Sequence, residues 1–267
     1  MTTAPLPSTF EPDRAPAPRR VLLVGGAGVP ELEEAVARRG WRALMVTFPD
    51  AGPVPAPVGA IDRVEAVDLA RPTEVVRRLV ALRAAGAFER VVPVTEFGLL
   101  PAALATAQLG LPGLPVSAIR RTRDKLHMRR ALEQAGLDQV AYSGCRDVDA
   151  ARAFLDRVGR PIVVKPVSGS GSEGVSRVAT AHELPAAFAL AAGAAGFMGV
   201  LCEEYVDGPE VSLEAYSVDG RLVPVALTDK LTDARFLEIG HQQPSREPQD
   251  VFDAVAAQAA LVLADSA

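Results

Sequence analysis

The residues from 20 to 115 alternate between short apolar runs and helical patterns, and this alternation limits the possible folds more than any other feature. Strand-like runs are predicted at residues 21–24, 41–48, 63–67 and 91–94, with helices at 30–39, 72–85 and 99–109. Strands that are separated by helices pair in parallel, because a helical crossover returns the chain to the same edge of the sheet. The sequence therefore predicts an α/β domain with a parallel sheet.

The pattern changes after residue 115. A helix is predicted over 117–136, ending at a glycine that suits a helix C-terminus. Strand-like runs then cluster at 161–164, 175–178, 200–205, 210–217 and 222–227, with helices at 183–195 and 250–264. Asp219-Gly220 between two of these runs is typical of a hairpin turn. This half is predicted to be an α+β domain with antiparallel sheets.

Composition restricts the function classes. The net charge is -5 and 23% of the residues are charged, which argues against a general nucleic-acid binder with a basic face. The sequence has no apolar run long enough to span a membrane. Residues 1–19 are rich in Pro and Ala and lack an apolar signal core, so we expect a disordered tail and a cytoplasmic protein. Cys145 and Cys202 have no metal-like spacing and are expected to be small buried hydrophobes.

The segment VVKPVSGSGSEG, residues 163–174, places a lysine at the end of a β-branched run and directly before a loop of Ser and Gly. Such a loop can turn its backbone N–H groups towards an anion. A flexible hairpin connection is the alternative, and the loop alone does not decide between them. The lysine favours a phosphate site. Only Lys125, Lys165 and Lys230 are lysines among 28 basic residues.

Three further motifs each allow a purely structural interpretation. The GGAG turn at 25–28 lacks the dinucleotide-binding spacing, and no acid follows the second strand, so a tight turn is favoured. The acidic run CEEYVDGPE at 202–210, taken alone, favours a solvated strand edge with an ordinary turn. His241, three residues after Glu238 and on a predicted loop beyond Lys230, is equally consistent with a structural histidine.

Taken in order, these motifs resemble the ATP-grasp superfamily. The matching pieces are RDK at 123–125, VVKP at 163–166, the Ser/Gly loop, and EEYVDGPE at 203–210. VVPVTE at 91–96 and LGLPG at 109–113 resemble the Rossmann-like pre-ATP-grasp domain of carbamoyl-phosphate synthetase-like ligases. EIGH at 238–241 is similar to the L-amino-acid ligase branch. The resemblance covers residues 20–267.

The resemblance implies a role for each site residue. Lys125 and Lys165 would meet the ATP phosphates, and Glu210 would accept hydrogen bonds from the ribose. Glu203 would face the adenine amine, with the backbone of Glu204 and Val206 reading the adenine edge. The loop closing over the β- and γ-phosphates would be formed by Ser168, Gly169, Ser170, Gly171 and Ser172. The catalytic side of the site would contain Lys230, Glu238 and His241.

The implied function is an ATP-dependent carboxylate–amine ligase that works through an acyl phosphate. ATP and Mg²⁺ are the expected cofactors, and small carboxylates and amines, with amino acids as candidates, are the expected partners. The metal ligands stay unknown, and a homodimer is one expected assembly. A nicotinamide-dependent oxidoreductase would need the dinucleotide fingerprint that residues 25–28 lack.

The resemblance also implies a domain division. We expect a pre-ATP-grasp α/β domain at 20–115, an ATP-grasp small lobe at 116–201 and a partial second lobe at 202–267. In the family, the magnesium ligands lie beyond the position matching the last residue of this chain. The expectation is therefore an α+β ATP-grasp domain that is incomplete at its C-terminus. The alternative function is a non-catalytic ATP-binding fragment or module that needs a further segment.

Overall fold

The chain consists of two compact units, Met1–Ile119 and Arg120–Ala267. The computed structural model describes residues 20–25, 30–49, 59–86, 88–137, 140–195, 198–218 and 220–264. The predicted disordered tail and most of the GGAG turn lie outside these residues. Each unit is built around its own apolar core.

The first unit contains a four-stranded parallel sheet in the order β3-β2-β1-β4. Its strands are β1 (Arg20–Val24), β2 (Arg42–Thr47), β3 (Ile61–Ala66) and β4 (Arg90–Pro93). Its helices are α1 (Pro30–Arg38), α2 (Pro72–Ala84) and α3 (Glu96–Leu109). Four consecutive residues of β1 are at most 1% exposed, as expected for a parallel strand covered on both faces. The predicted parallel sheet is confirmed.

Helix α4 (Val116–Arg123) leads into the second unit, whose first sheet has the order β5-β8-β6-β7 and only antiparallel pairs. The elements are α5 (Lys125–Gln134), β5 (Tyr142–Cys145), α6 (Val148–Val158), β6 (Ile162–Pro166), β7 (Ser176–Val178), α7 (Leu184–Ala195) and β8 (Val200–Glu204). Cys145 and Cys202 are both buried, free thiols in the core that contains residues of this sheet and of α6 and α7, which confirms their predicted role.

The second sheet of this unit is antiparallel, with the order β11-β10-β9. It consists of β9 (Glu210–Val218), β10 (Arg221–Thr232) and β11 (Glu238–Gln242), and α8 (Gln249–Ala264) packs against β10. The predicted hairpin between β9 and β10 is confirmed, although Asp219 of its turn lies outside the described residues. Val225 is an extra residue between Pro224, opposite Ala215, and Ala226, opposite Glu214, and so forms a β-bulge.

Several predicted boundaries were wrong. The single helix over 117–136 is two helices, because the Asp124 carboxylate accepts a hydrogen bond from the backbone N–H of His127 at 2.8 Å and caps a new helix there. The strand predicted over 222–227 continues to Thr232, so Lys230 lies within β10. Residues 238–241, predicted as a loop, lie in β11. Of the helices in the described parts of the chain, none has the length and apolar character needed to cross a membrane.

Candidate functional site

Strand β6 brings Lys165 to the face of the first sheet that lies opposite the core. Ile162 and Val164 of this strand are fully buried among the core residues. Because side chains alternate along a strand, Lys165 points to the other face. Glu203 in β8 lies opposite Val163 of β6 and therefore shares that face with Lys165. The alternation explains why a lysine follows an apolar run here.

Glu203 is a buried carboxylate held between two cations. Its side chain is 5% exposed, and its Oε1 accepts a hydrogen bond from Arg129 Nε at 2.6 Å. Its Oε2 forms an ion pair with the Lys165 ammonium. Burial alone would raise the pKa of Glu203, but the Arg129 hydrogen bond and the Lys165 charge outweigh it and lower the pKa below its ordinary value. Glu203 is therefore an anion at neutral pH.

Lys125 lies in the first turn of α5 and faces the Ser/Gly loop. Its backbone N–H donates to the carbonyl of Val167 at 2.9 Å, and its ammonium donates to the carbonyl of Gly169 at 3.1 Å. Burial and the nearby positive charge of Lys165 lower the pKa of Lys125. Two ammonium groups that repel each other in one place favour the binding of an anion between them.

The Ser/Gly loop joins β6 to β7 and is fastened to the turn between β10 and β11. Ser172 Oγ donates a hydrogen bond to the carbonyl of Phe236 at 2.6 Å. The ring of Phe236 in turn lies 6.3 Å from the ring of Tyr205. Gly174 has a φ of +74°, and a Cβ atom there would come within 2.8 Å of the Cβ of Ala194, so this position requires glycine.

A cavity of about 380 Å³ lies beneath this loop. This volume is within the range of small-molecule sites in proteins. The predicted site residues that line it are Lys125, Lys165, Gly169, Ser170, Gly171, Ser172, Glu210 and Lys230. Val163, Pro166, Glu173, Val175 and Phe236 complete the lining. The structure thus brings all three lysines, most of the loop and Glu210 to one place.

The second sheet places three predicted residues side by side. Lys230 in β10 lies opposite Glu210 in β9 and opposite His241 in β11. Directly opposed residues of an antiparallel sheet point to the same face, so the three side chains form a row. The Glu210 carboxylate pairs with the Lys230 ammonium. The row connects the cavity, through Glu210 and Lys230, with the more exposed His241.

A β-bulge gives Glu238 its place beside His241. In a regular strand, residues three apart point to opposite faces. Here Gly240 pairs with Leu231 and Glu238 with Thr232, so Ile239 is an extra residue that restores Glu238 to the face of His241. The Glu238 carboxylate contacts Nε2 of His241. The prediction that these residues lie on a loop was wrong because the sequence pattern does not reveal the bulge.

Six predicted residues do not line the cavity in the described part of the chain: Ser168, Glu203, Glu204, Val206, Glu238 and His241. Glu204 uses its backbone N–H to pair with the carbonyl of Ala141 at 2.8 Å, and its side chain pairs with Arg160 at 2.6 Å. Val206 follows β8 and is 66% exposed. Arg129 and Phe236 were not predicted. Arg129 follows Lys125 by four residues, and this helical spacing, which places both on one face, was a usable signal.

Comparison with known proteins gives a family match in the second unit. Residues 158–262 match the ATP-grasp domain. The cavity under the Ser/Gly loop, lined by Lys125, Lys165 and Lys230, lies in the same unit as this match. The second unit therefore contains an ATP-grasp domain.

The chain is similar to an alanine–anticapsin ligase from Bacillus subtilis, with 27% identity over 194 residues that make up 64% of this chain and 41% of the relative. An L-amino acid ligase structure from Bacillus licheniformis has a TM-score of 0.78 and 22% identity, covering 92% of this chain and 60% of that one. A biotin carboxylase domain from Hydrogenobacter thermophilus, solved with MgADP, has a TM-score of 0.77 and 18% identity, covering 93% and 58%. The chain thus spans less than half the length of this curated ligase.

Proposed function

We propose that this chain provides the nucleotide site of an ATP-dependent carboxylate–amine ligase. The observation that carries the proposal is the pair Lys125 and Lys165, which line one cavity beneath a Ser/Gly loop. The lowered pKa of Lys125 reflects burial and the nearby positive charges of Lys165 and Arg123, an effect that an entering polyphosphate would relieve. The 27% identical relative is itself named a ligase.

The proposed position of ATP follows from the polar groups around the cavity. The ammonium groups of Lys125 and Lys165 contact the phosphates, and the loop from Ser168 to Ser172 closes over them. Glu210 accepts hydrogen bonds from the ribose hydroxyls, which then compete with its ion pair to Lys230. The adenine lies towards the end of β8, where Glu203, Glu204 and Val206 occur.

The substrate end of the site is proposed to lie at the row of Lys230, His241 and the adjoining Glu238. In the first step a carboxylate oxygen attacks the γ-phosphorus of ATP, and the bond to ADP breaks. In the second step an amine nitrogen attacks the acyl carbon, and inorganic phosphate leaves with the bonding electrons. Catalysis of phosphoryl transfer depends on positioning and charge neutralisation, which this row of charged groups can supply. Amino acids are the proposed substrates.

Magnesium is the expected metal cofactor of the proposed reaction. Within the described ranges, no three His, Cys, Asp or Glu side chains cluster closely enough to hold a metal ion, so no step is assigned to Mg²⁺. Two carboxylates can be enough for Mg²⁺ when phosphates provide further oxygens.

The parallel sheet of the first unit is proposed to be a Rossmann-like pre-ATP-grasp domain. A homodimer is the proposed assembly, and light scattering measures it directly.

The test is magnesium-dependent release of ADP from ATP in the presence of a panel of L-amino acids. We expect release that requires both a carboxylate and an amine. His241→Asn should lower the turnover while sparing the affinity for ADP, because His241 lies outside the cavity lining. Gln242→Asn, on the other face of β11, is the matched control. Binding of ADP without any ligation product would favour the non-catalytic module, and absence of ADP binding would refute the proposal.

A further inference from the structure

We infer that Arg129 is a positioning residue. It remains the counter-ion of the buried Glu203, and Lys165 is therefore free to bind phosphate. The inference rests on the proposed function and adds a residue to it. Arg129 does not line the cavity among the described residues, so its proposed effect passes through Glu203 and Lys165. Its place in the fold is the middle of α5, one turn after Lys125.

The geometry of the three side chains carries the inference. Glu203 divides its two oxygens between the cations, Oε1 to Arg129 at 2.6 Å and Oε2 to Lys165. The exposed fractions are 5% for the Glu203 side chain, 21% for Arg129 and 18% for Lys165. The carboxylate is thus the most deeply buried of the three charges. Lys165 alone of them also lines the cavity.

A buried carboxylate without a counter-ion is unfavourable, because the interior solvates charge poorly. If Lys165 were the only partner of Glu203, a phosphate could recruit it only by leaving Glu203 uncompensated. Arg129 removes this conflict. It keeps one charge-assisted hydrogen bond to Glu203 while the Lys165 ammonium turns from the carboxylate to the ligand.

The arrangement also explains why the two cations differ in kind. Arginine stays protonated and holds a carboxylate through a planar group of donors, which suits a permanent counter-ion. Lysine is a compact charge on a flexible stem, which suits an exchange between two partners. The Arg129 hydrogen bond and the Lys165 charge outweigh the effect of burial and lower the pKa of Glu203. The carboxylate therefore stays ionised while Lys165 moves between its two partners.

The experiment uses two probes, ADP and inorganic tripolyphosphate, with affinities measured by calorimetry for the whole chain. Arg129→Met removes the charge and the hydrogen-bond donors but keeps an unbranched apolar stem. We expect it to weaken tripolyphosphate binding about tenfold or more, as for the loss of one charge-assisted contact. Arg130→Met, an exposed arginine next along α5, is the matched control and should leave both affinities unchanged.

A second change separates this role from general structural damage. Glu203→Gln removes the charge for which the cations compete, so it should bind tripolyphosphate at least as tightly as the unchanged protein. The double variant Arg129→Met/Glu203→Gln should recover the affinity that Arg129→Met loses, since a coupled pair gives non-additive effects. This recovery is the expected result, and a structural role for Arg129 would not produce it.

The outcomes are distinct. If the unchanged protein binds neither probe, the proposed function fails and the inference fails with it. If it binds both, and Arg129→Met binds tripolyphosphate equally well, the inference alone is overturned. Weakened binding that the double variant does not restore also overturns it. If Arg129→Met does not fold, Glu203→Gln decides: an affinity below that of the unchanged protein contradicts the exchange of Lys165 between partners.

Discussion

Ser172 donates its hydroxyl hydrogen to the carbonyl oxygen of Phe236, and both residues have left-handed backbone conformations, with φ values of +58° and +62°. Residues other than glycine rarely adopt this region, and such strain is concentrated at ligand clamps and switch segments. The hydrogen bond joins the loop after β6 to the turn before β11. It therefore fixes the position of the loop above the cavity.

We expect Ser172→Ala to lower the free energy of unfolding by about 1 kcal/mol, since it removes one hydrogen bond without relieving the strain. The loop should also be cleaved faster in limited proteolysis. Ser170→Ala, at an exposed position of the same loop, is the control and should change neither quantity. Equal cleavage rates for the two variants would show that the contact with Phe236 does not hold the loop.

Lys165→Ala should weaken the binding of a non-hydrolysable ATP analogue by roughly tenfold to a hundredfold. A charge-assisted hydrogen bond is worth about 1.5–3 kcal/mol, and the change also leaves Glu203 with Arg129 alone. Arg160, which precedes β6, pairs with Glu204 at 2.6 Å and is therefore a poor control. Arg152→Ala, on the exposed side of α6, is better. Similar affinities for the Lys165 and Arg152 variants would remove Lys165 from the site.

Lys125 should lose its proton below the ordinary lysine pKa of 10.5, because burial and the Lys165 charge disfavour its charged form. A lowered pKa means that the folded chain binds fewer protons than the unfolded chain near that pH. This lysine therefore makes folding more favourable as the pH rises through the interval, while its attraction for phosphate is lost. Adding tripolyphosphate should raise the pKa again.

The three lysines make this measurement practical, since selective ¹³C labelling of lysine gives three side-chain signals that can be followed by NMR. Lys125→Arg assigns the signal. Lys165→Met should move the pKa of Lys125 upwards by removing the like charge. A Lys125 signal that titrates at 10.5 in the absence of tripolyphosphate would contradict the prediction.

Glu210→Ala should raise the dissociation constant for ATP and abolish discrimination against 2′-deoxy-ATP. A carboxylate that accepts a ribose hydroxyl contributes about 1.5–3 kcal/mol, so the unchanged protein should prefer ATP by roughly tenfold. Glu214→Ala, further along β9, should keep that preference. Calorimetry with both nucleotides gives the ratio. If the unchanged protein binds the two equally, the ribose assignment to Glu210 is wrong.

The periodic parts of the fold were predictable from sequence. Strands β1 and β2 of the first unit are largely continuous apolar runs, and α7 and α8 were found within one residue of their ends. Strand β5, Tyr-Ser-Gly-Cys, was missed because Ser and Gly have little strand preference. Helix α6 was missed although Asp147 caps its start and Gly159, with a φ of +68°, ends it. Those two signals were sufficient to find it.

The residues of the candidate site were easier to find than their partners. The sequence itself marks Lys125, Lys165 and the Ser/Gly loop. Lysine is rare in this chain, and packing alone does not explain a lysine next to a loop rich in glycine. The neutralisation of Glu203 by Arg129 could not be predicted with the same ease, since it joins residues 74 positions apart. Strand β11 was hidden for a different reason. The extra residue Ile239 breaks the alternation by which strands are recognised.

The bulge at Val225 limits which sequence changes β10 can tolerate. Val225 is 62% exposed, yet its presence shifts the phase of the pairing by one residue. After the bulge, Lys230 lies opposite Glu210. Without it, β10 would pair one step out of phase and present the neighbouring side chains to Glu210. The bulge requires a residue at position 225 but not a particular side chain. Substitutions of Val225 should therefore be tolerated, whereas its deletion should break the ion pair between Lys230 and Glu210.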